Sequence, residues 1–375
     1  MLAPQSHLGY LDGLRAAAAL YVVVFHALIQ IEPDGKTLTG VAKACAALFT
    51  FGHHAVDLFI VISGFCLMLP ALKNGGHPAG GTRTFLWKRA RRILPPYFIA
   101  LACTLLLIAL WVGHKTGTGW DASLPVTQKG LVTHVLLLQD AFVDTAEQIN
   151  GAFWSISVEW RIYFAFPVLL FAWRKVGPVG ATALAILAAY ALRYPILWAG
   201  LDCNADALVG IMPQYLGLFA LGMLGAGISF SHDARLTQMR NRVPWMALMY
   251  VTLALVFVLY KVKLFHGSRV PVAYSDLVTG IWAMSLLIAV SVSDKSRLRQ
   301  LLGWKPVAFV GTFAYSIYLI HGPIQQIIWQ YGLSRLPFQP VVIFILQATL
   351  GTAIIIGVSY GFFLFAERPF LKRGR

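Results

Sequence analysis

Long apolar stretches, each able to cross a lipid bilayer, recur from one end of this 375-residue chain to the other. A membrane-spanning helix needs about 20 consecutive, predominantly apolar residues. Only 12% of the residues are charged, whereas soluble domains carry about a quarter. These features predict an all-α, polytopic membrane protein with about ten transmembrane helices, forming one domain over residues 1–375 with no fused soluble domain. The predicted spans cover residues 11–31, 55–72, 93–112, 154–173, 178–199, 212–230, 243–260, 274–292, 306–331 and 339–366.

The basic residues give these spans an orientation. If both termini lie on the inner side, the inner segments hold nineteen Lys and Arg residues, the outer segments eight and the spans three. Because cytoplasmic loops carry the excess of Lys and Arg, we expect both termini to be cytoplasmic. The net charge of +15 lies in short loops rather than in a basic domain. We therefore expect the lipid bilayer as a partner and no nucleic acid.

The four cysteines show no paired spacing and no CxxC motif. This pattern predicts neither a disulfide framework nor a zinc site. We therefore expect no metal.

Arg15 and His26 lie on the first predicted span, where ionisable side chains are costly and mark functional sites. They are eleven residues apart, so a helix places them on one face with a rise of roughly 16 Å between them. His26 then lies in the outer half of the membrane and Arg15 near the inner end. The alternative is that His26 is a hydrogen-bonded core residue.

Glu159 is predicted to lie at the depth of His26, about five residues inside the outer end of the fourth span. A carboxylate on one imidazole nitrogen fixes the tautomer and raises the basicity of the other nitrogen. A hydrogen-bonded His26–Glu159 pair is therefore possible. The alternative is an ion pair of Glu159 with Arg161 or Arg193.

Three further features have both a functional and a structural interpretation. His321 precedes Gly322-Pro323, where a kink is expected, and it either satisfies the freed carbonyls or lines an acceptor site. Asp57, which follows His53 and His54, is either part of a site or interfacial. The outer segment 113–153, which carries Trp120, either covers the mouth of a site or is an ordinary loop.

A basic patch on the inner side contains Arg89, Arg91 and Arg92. It precedes Pro95-Pro96, which predicts an extended backbone at Leu94. Guanidinium groups hydrogen-bond phosphates through a fixed fork of donors. The patch could hold a phosphate-bearing cofactor, or equally the headgroups of anionic lipids.

Six motifs in order along the chain resemble the acyltransferase 3 family of bacterial membrane acyltransferases. They are Leu11-Asp-Gly-Leu-Arg-Ala with Arg15 and His26, Asp57-Leu-Phe-Ile-Val-Ile-Ser-Gly-Phe65, Arg89-x-x-Arg92-Ile-x-Pro95-x-Tyr97, Trp154-Ser-Ile-Ser-Val-Glu159-Trp, Tyr315-Ser-Ile-Tyr-Leu-Ile-His321 and Glu367-Arg-Pro-Phe370. One departure is Ala16, where many members have Gly.

The resemblance implies a ten-helix core in the bacterial plasma membrane, with Arg15 and His26 essential. It implies acetyl-CoA or another acyl-CoA as donor. The implied acceptors are sugars of polysaccharides, lipopolysaccharide or glycolipids, modified at the outer face. Some members carry a fused extracytoplasmic domain, and here we expect any such transferase to be a separate protein.

These observations combine into a hypothesis of acyl transfer across the membrane. The arginines Arg15, Arg89, Arg91 and Arg92 would hold the CoA phosphates, and the pantetheine arm would pass Ser63-Gly64 to reach His26. His26, oriented by Glu159, would act as general base or form a transient acyl-His26. The alternative is a proton-coupled transporter, although we find no convincing inverted repeat. The expected acceptor-binding residues are Asp57, Trp154, Tyr318 and His321.

Overall fold

In the computed structural model, residues 8–31, 37–199, 210–266, 272–293 and 296–371 are described, and every regular element among them is helical. The α-helices are α1 Gly9–Ile31, α2 Gly40–Ala46, α3 Gly52–Lys73, α4 Gly81–Leu107, α5 Gln128–Leu136, α6 Trp154–Trp198, α7 Tyr215–Phe230, α8 Ala234–Arg242, α9 Trp245–His266, α10 Val272–Val292, α11 Arg297–Leu302, α12 Lys305–Gly311, α13 Ala314–Tyr331, α14 Pro340–Leu346 and α15 Thr352–Phe362. Short 3-10 or π segments cover Ala47–Phe49, Ile108–Val112, Gly119–Ser123, Gln139–Ala141, Leu333–Arg335, Gln347–Gly351, Phe363–Glu367 and Arg368–Phe370.

Within the described residues, six helical stretches are long and apolar enough to cross a membrane, or eight if each of two bent pairs counts as one span. The bent pairs are α7 with α8, at 90°, and α12 with the stretch Ala314–Arg335, at 71°. The all-helical architecture with several membrane-length helices is thereby confirmed. The count of about ten spans and the cytoplasmic termini stay predictions. The six stretches are Gly9–Ile31, Ala42–Lys73, Gly81–Val112, Trp154–Ile196, Val272–Val292 and Pro340–Phe370.

The predicted spans 154–173 and 178–199 both belong to α6, which breaks at Gly177. Gly177 has φ 78° and ψ 169°, a conformation that residues with a Cβ rarely adopt. Pro178 follows it and lacks the N–H that would continue the helical hydrogen bonds. The boundary between the two predicted spans is thus a break within one helical stretch, without an intervening loop.

The helix α7 lies in the centre of the bundle, where it packs against α3, α6 and α10. Two glycines allow its backbone to approach that of α3. A Cβ on Gly64 would lie 2.1 Å from the carbonyl oxygen of Phe219, and a Cβ on Gly222 would lie 2.0 Å from that of Val61. Small residues let membrane helices approach closely enough for dispersion and weak hydrogen bonds to hold them.

Large apolar side chains remain exposed on the outward faces of the bundle. Leu106 on α4 is 56% exposed, Val168 on α6 is 65% exposed and Val251 on α9 is 65% exposed. Such faces would be unfavourable in water and are suited to lipid tails. The exposed surface thus agrees with the membrane location inferred from composition.

The predicted extended backbone at Leu94 is wrong, because α4 continues through Pro95 and Pro96. Prolines are tolerated in membrane helices when neighbouring helices hold the segment and satisfy its backbone. Ile93, Pro96 and Tyr97 are buried here, and burial against the bundle outweighs the local preference.

Candidate active site

A cavity of about 300 Å³ lies between α1, α3, α4 and the first turns of α6. We call it the arginine cavity. Arg15 donates to Asp12 Oδ1 at 2.7 Å through Nη1 and to Cys66 Sγ at 3.1 Å through Nη2. Three arginines and three carboxyl groups line this cavity together. Its charged lining residues are Asp12, Arg15, Arg89, Arg92, Glu159 and Glu367.

The basic patch divides between this cavity and the exterior. Arg89 and Arg92 line the cavity, whereas Arg91 is exposed and does not. The reason is that α4 stays helical, so residues three apart share a face and residues two apart do not. The prediction of Arg91 as a donor-binding residue is therefore not supported by its position. The Arg89 Nε is buried without a hydrogen-bond partner in the described chain, which leaves a donor free for an anion.

Ser63 and Gly64 have different surroundings although they are neighbours. Ser63 lines the arginine cavity and donates to Glu159 Oε1 at 3.1 Å. Gly64 faces the backbone of α7 and does not line the cavity. The expected role of Gly64 along the path of the donor is thus replaced by a role in helix packing.

The predicted hydrogen bond between His26 and Glu159 does not form. The described partners of Glu159 are Ser63 and Tyr163, whose hydroxyl donates to Oε1. The alternative ion pair with Arg161 is also wrong, because Arg161 pairs with Asp140.

Glu159 does not contact His26, because the start of α6 lies inside the bundle. Trp154 is buried, and its ring is close to those of His53 and Tyr215. The preceding segment 119–153 folds into the bundle above it. Glu159, five residues further along α6, consequently faces the arginine cavity.

A second cavity, of about 310 Å³, has His26 in its wall. We call it the histidine cavity. The segment 119–152 contributes a large part of its lining, so it forms one wall of this cavity. Burial raises the pKa of the carboxyl group that lines this cavity, that of Glu147. Its polar and aromatic lining residues are Phe25, His26, Gln30, His53, Trp120, Ser123, Glu147, Asn150, Trp154, Tyr318 and Gln325.

His321 lies behind His26 and does not line the cavity itself. Its ring is fully buried, and its Nε2 is 3.4 Å from His26 Nδ1. Its Nδ1 is 2.8 Å from the carbonyl oxygen of Tyr318 and 3.2 Å from that of Ile317. The expected contact of His321 with the acceptor is therefore replaced by contact with His26.

Asn150 donates a hydrogen bond to the carbonyl oxygen that Pro323 leaves without a backbone donor. Proline cannot donate to the carbonyl four residues earlier, which here is that of Leu319. Asn150 Nδ2 donates to it at 3.0 Å. Asn150, Gln30 and Gln325 are site residues that the sequence reasoning missed, and only the Pro323 kink signalled that a donor was needed.

Asp57 lines neither of these two cavities. It is fully buried beside His53, His54 and Asp276. The proposed direct contact of Asp57 with an acceptor is not supported by this position. Trp154 does line the histidine cavity.

The two cavities meet at Tyr318 and Val56, which line both. The Tyr318 hydroxyl lies 2.7 Å from Ser155 Oγ. Arg15 and His26, which both lie on α1, thus line adjacent cavities. The side chains of Tyr318 and Val56 lie at the boundary between these spaces.

The acyltransferase domain of the acyltransferase 3 family matches residues 8–364. The chain belongs to this family. The membership favours acyl transfer over the proton-coupled transporter. No solved structure matches the chain.

Several relatives are similar over most of this chain. YrhL of Bacillus subtilis (strain 168), whose name refers to peptidoglycan O-acetylation, is 23% identical over 384 residues, covering 97% of this chain and 55% of that protein. O-acetyltransferase OatA of Staphylococcus aureus (strain NCTC 8325 / PS 47) is 23% identical over 385 residues, covering 100% and 58%. Exopolysaccharide production protein ExoZ of Rhizobium meliloti (strain 1021) is 25% identical over 343 residues, covering 87% and 92%. The chain thus spans a little over half the length of YrhL and OatA.

Proposed function

We propose that this protein transfers an acetyl group from cytoplasmic acetyl-CoA to a hydroxyl group of a cell-surface or exported glycan at the outer face of the bacterial plasma membrane. The observation that carries the proposal is the pair of cavities that meet at Tyr318 and Val56, one lined by arginines and the other by His26. The names of OatA and ExoZ support O-acetylation and an exopolysaccharide acceptor.

The arginine cavity suits the anionic end of a CoA thioester. Arg89 and Arg92 lie one helical turn apart on α4 and face it together. Guanidinium groups bind phosphates through paired donors, and the Arg89 Nε has no partner of its own. Arg15, which is held by Asp12, lines the same cavity.

The histidine cavity suits a sugar. Gln30, Asn150 and Gln325 offer amide groups, while Trp120 and Trp154 offer flat apolar faces. Ligand sites combine apolar walls with a few polar groups that fix orientation. A glycan hydroxyl would lie beside His26 in this space.

The contacts of His321 define which nitrogen of His26 is basic. His321 Nδ1 faces two carbonyl oxygens, which accept only, so in the neutral ring it carries the proton. His321 Nε2 is then an acceptor, and the neighbouring His26 Nδ1 must be the donor between them. This arrangement leaves the lone pair on His26 Nε2, and His321 takes the orienting role that the sequence assigned to Glu159.

The reaction follows from this arrangement. The acceptor hydroxyl gives its proton to His26 Nε2 while its oxygen attacks the thioester carbonyl. The carbon–sulfur bond breaks, and the protonated His26 returns the proton to the departing thiolate. The products are the O-acetyl ester and CoA thiol.

The test uses the purified protein in detergent with acetyl-CoA and candidate glycans. We expect release of CoA thiol together with an acetylated glycan detected by mass spectrometry. His26→Ala should abolish both, whereas Asp144→Asn, which alters an exposed carboxylate paired with Lys129, should change neither. Mass spectrometry of the quenched enzyme separates direct transfer from an acyl-His26 intermediate. Full activity of the His26→Ala protein refutes the proposal.

A further inference from the structure

A cluster of three ligand-type side chains lies outside the transfer path. His53 and Asp57 are one helical turn apart on α3, and Asp276 lies on α10. His53 Nε2 is 3.0 Å from Asp276 Oδ1 and 4.0 Å from Asp57 Oδ1. One imidazole nitrogen and two carboxylate oxygens therefore lie within 4.8 Å of one another. The His53 side chain is 8% exposed and the two aspartates are 0% exposed.

The outer oxygen of each carboxylate is held by another side chain. Asp57 Oδ2 is 2.8 Å from His54 Nδ1, and Asp276 Oδ2 accepts from Gln214 Nε2 at 3.0 Å. These contacts turn the Oδ1 atoms of both aspartates towards His53 Nε2. Outer partners that orient the ligating atoms are a recurring feature of metal sites in proteins.

A bound cation would balance the charge of the two carboxylates. In the described ranges, neither Asp57 nor Asp276 forms an ion pair with Lys or Arg. Asp57 Oδ1 is buried there without a hydrogen-bond partner. Burying a carboxylate in a membrane protein is costly unless it is paired or bound to a metal, and here two carboxylates share one small space.

We propose that His53, Asp57 and Asp276 bind one divalent transition-metal ion. A mixed set of imidazole and carboxylate ligands suits Zn²⁺ or Mn²⁺. Three protein ligands leave coordination positions for water or another group, and Tyr215 OH lies 3.4 Å from His53 Nε2. The expectation of no metal was based on the spacing of the cysteines. It did not cover this cluster, which contains no cysteine.

The ion would lie beside the histidine cavity. The His53 ring lines that cavity and stacks on Trp154 with an interplanar angle of 9°. Binding would fix the position of α3 against α10, and with it one wall of the cavity. This role does not depend on acyl transfer, so metal content tests it independently of the proposed function.

The experiment measures metal bound to the purified protein in detergent. The protein is treated with EDTA, desalted, equilibrated with Zn²⁺ or Mn²⁺, desalted again and analysed by inductively coupled plasma mass spectrometry. We expect about one equivalent of metal per chain, because the three ligands define one site. The variants Asp57→Asn and Asp276→Asn should each lower the amount of retained metal by more than about tenfold. Asp144→Asn should retain the wild-type amount.

Two results would overturn the proposal. Wild-type protein that keeps less than about a tenth of an equivalent of either metal would mean that the two carboxylates share a proton instead. Equal retention by the double variant Asp57→Asn/Asp276→Asn would show an adventitious ion only. If the variants do not fold, X-ray absorption of the zinc-loaded wild type decides. Nitrogen and oxygen ligands at about 2.0–2.2 Å support the site, and sulfur at about 2.3 Å contradicts it.

Discussion

Arg89 and Arg91 are two residues apart on α4, yet one faces the arginine cavity and the other the exterior. This difference predicts unequal effects of the same substitution. Arg89→Gln should raise the KM for acetyl-CoA by about tenfold to a hundredfold, because a hydrogen bond to a charged group contributes about 1.5–3 kcal/mol. Arg91→Gln is the matched control and should leave this KM within about twofold of the wild type. Steady-state kinetics at saturating acceptor measure both, and equal effects would place the donor elsewhere.

His321 is a positioning residue, since it contacts His26 and not the cavity. His321→Asn keeps a donor for the carbonyl of Tyr318 but removes the acceptor for His26 Nδ1. We expect kcat to fall about a hundredfold while the KM for acetyl-CoA stays the same. His321→Gln can place its amide oxygen near the former Nε2 and should recover part of kcat. A parallel loss of donor binding, or no difference between the two variants, would indicate that His321 serves folding alone.

At the scale of single residues, the sequence identified several site residues but not their partners. Arg15, His26, Trp154 and Tyr318 do line the cavities, because cost inside the bilayer and motif order point to them. The sequence could not predict that His321, and not Glu159, contacts His26. It depends on how far the segment 119–153 folds into the bundle, which local periodicity does not encode.

At the scale of the helices, the contact between α3 and α7 makes a sharp prediction. Gly64→Ala puts a Cβ 2.1 Å from the carbonyl oxygen of Phe219, so the two backbones must separate. We expect a loss of stability of about 1–3 kcal/mol, as overpacked sites show, measured as a lower melting temperature in detergent. Gly357→Ala is the matched control, because a Cβ there meets nothing within 4 Å, and its better helix propensity should leave stability unchanged or raised. Equal melting temperatures for the two variants would contradict the close packing.

The helices themselves were largely predictable, since each apolar stretch in the described ranges is helical. Prolines were a less reliable sign of where a helix breaks. Pro178 does coincide with a break, where Gly177 supplies the positive φ. Pro95 and Pro96 do not break α4, since the packing of the bundle outweighs the preference of the residue before proline.

At the scale of the whole molecule, the proposed function depends on two cavities that no single motif describes. Each is assembled from helices distant in sequence, and they share Tyr318 and Val56. The sequence predicted a passage along the face of α1 that carries Arg15 and His26. It could not predict the Tyr318–Ser155 contact at the boundary of the two cavities, because that contact joins α6 to α13.

In the proposed reaction, the donor reaches from the arginine cavity into the histidine cavity. The most direct measurement is a cryo-electron microscopy structure of the protein with a non-hydrolysable thioether analogue of acetyl-CoA. We expect the phosphates within hydrogen-bond distance of Arg89 and Arg92, the arm beside Ser63, and the acetyl end between Tyr318 and His26. An analogue bound on the opposite face, or one whose acetyl end lies in lipid away from His26, would contradict the account.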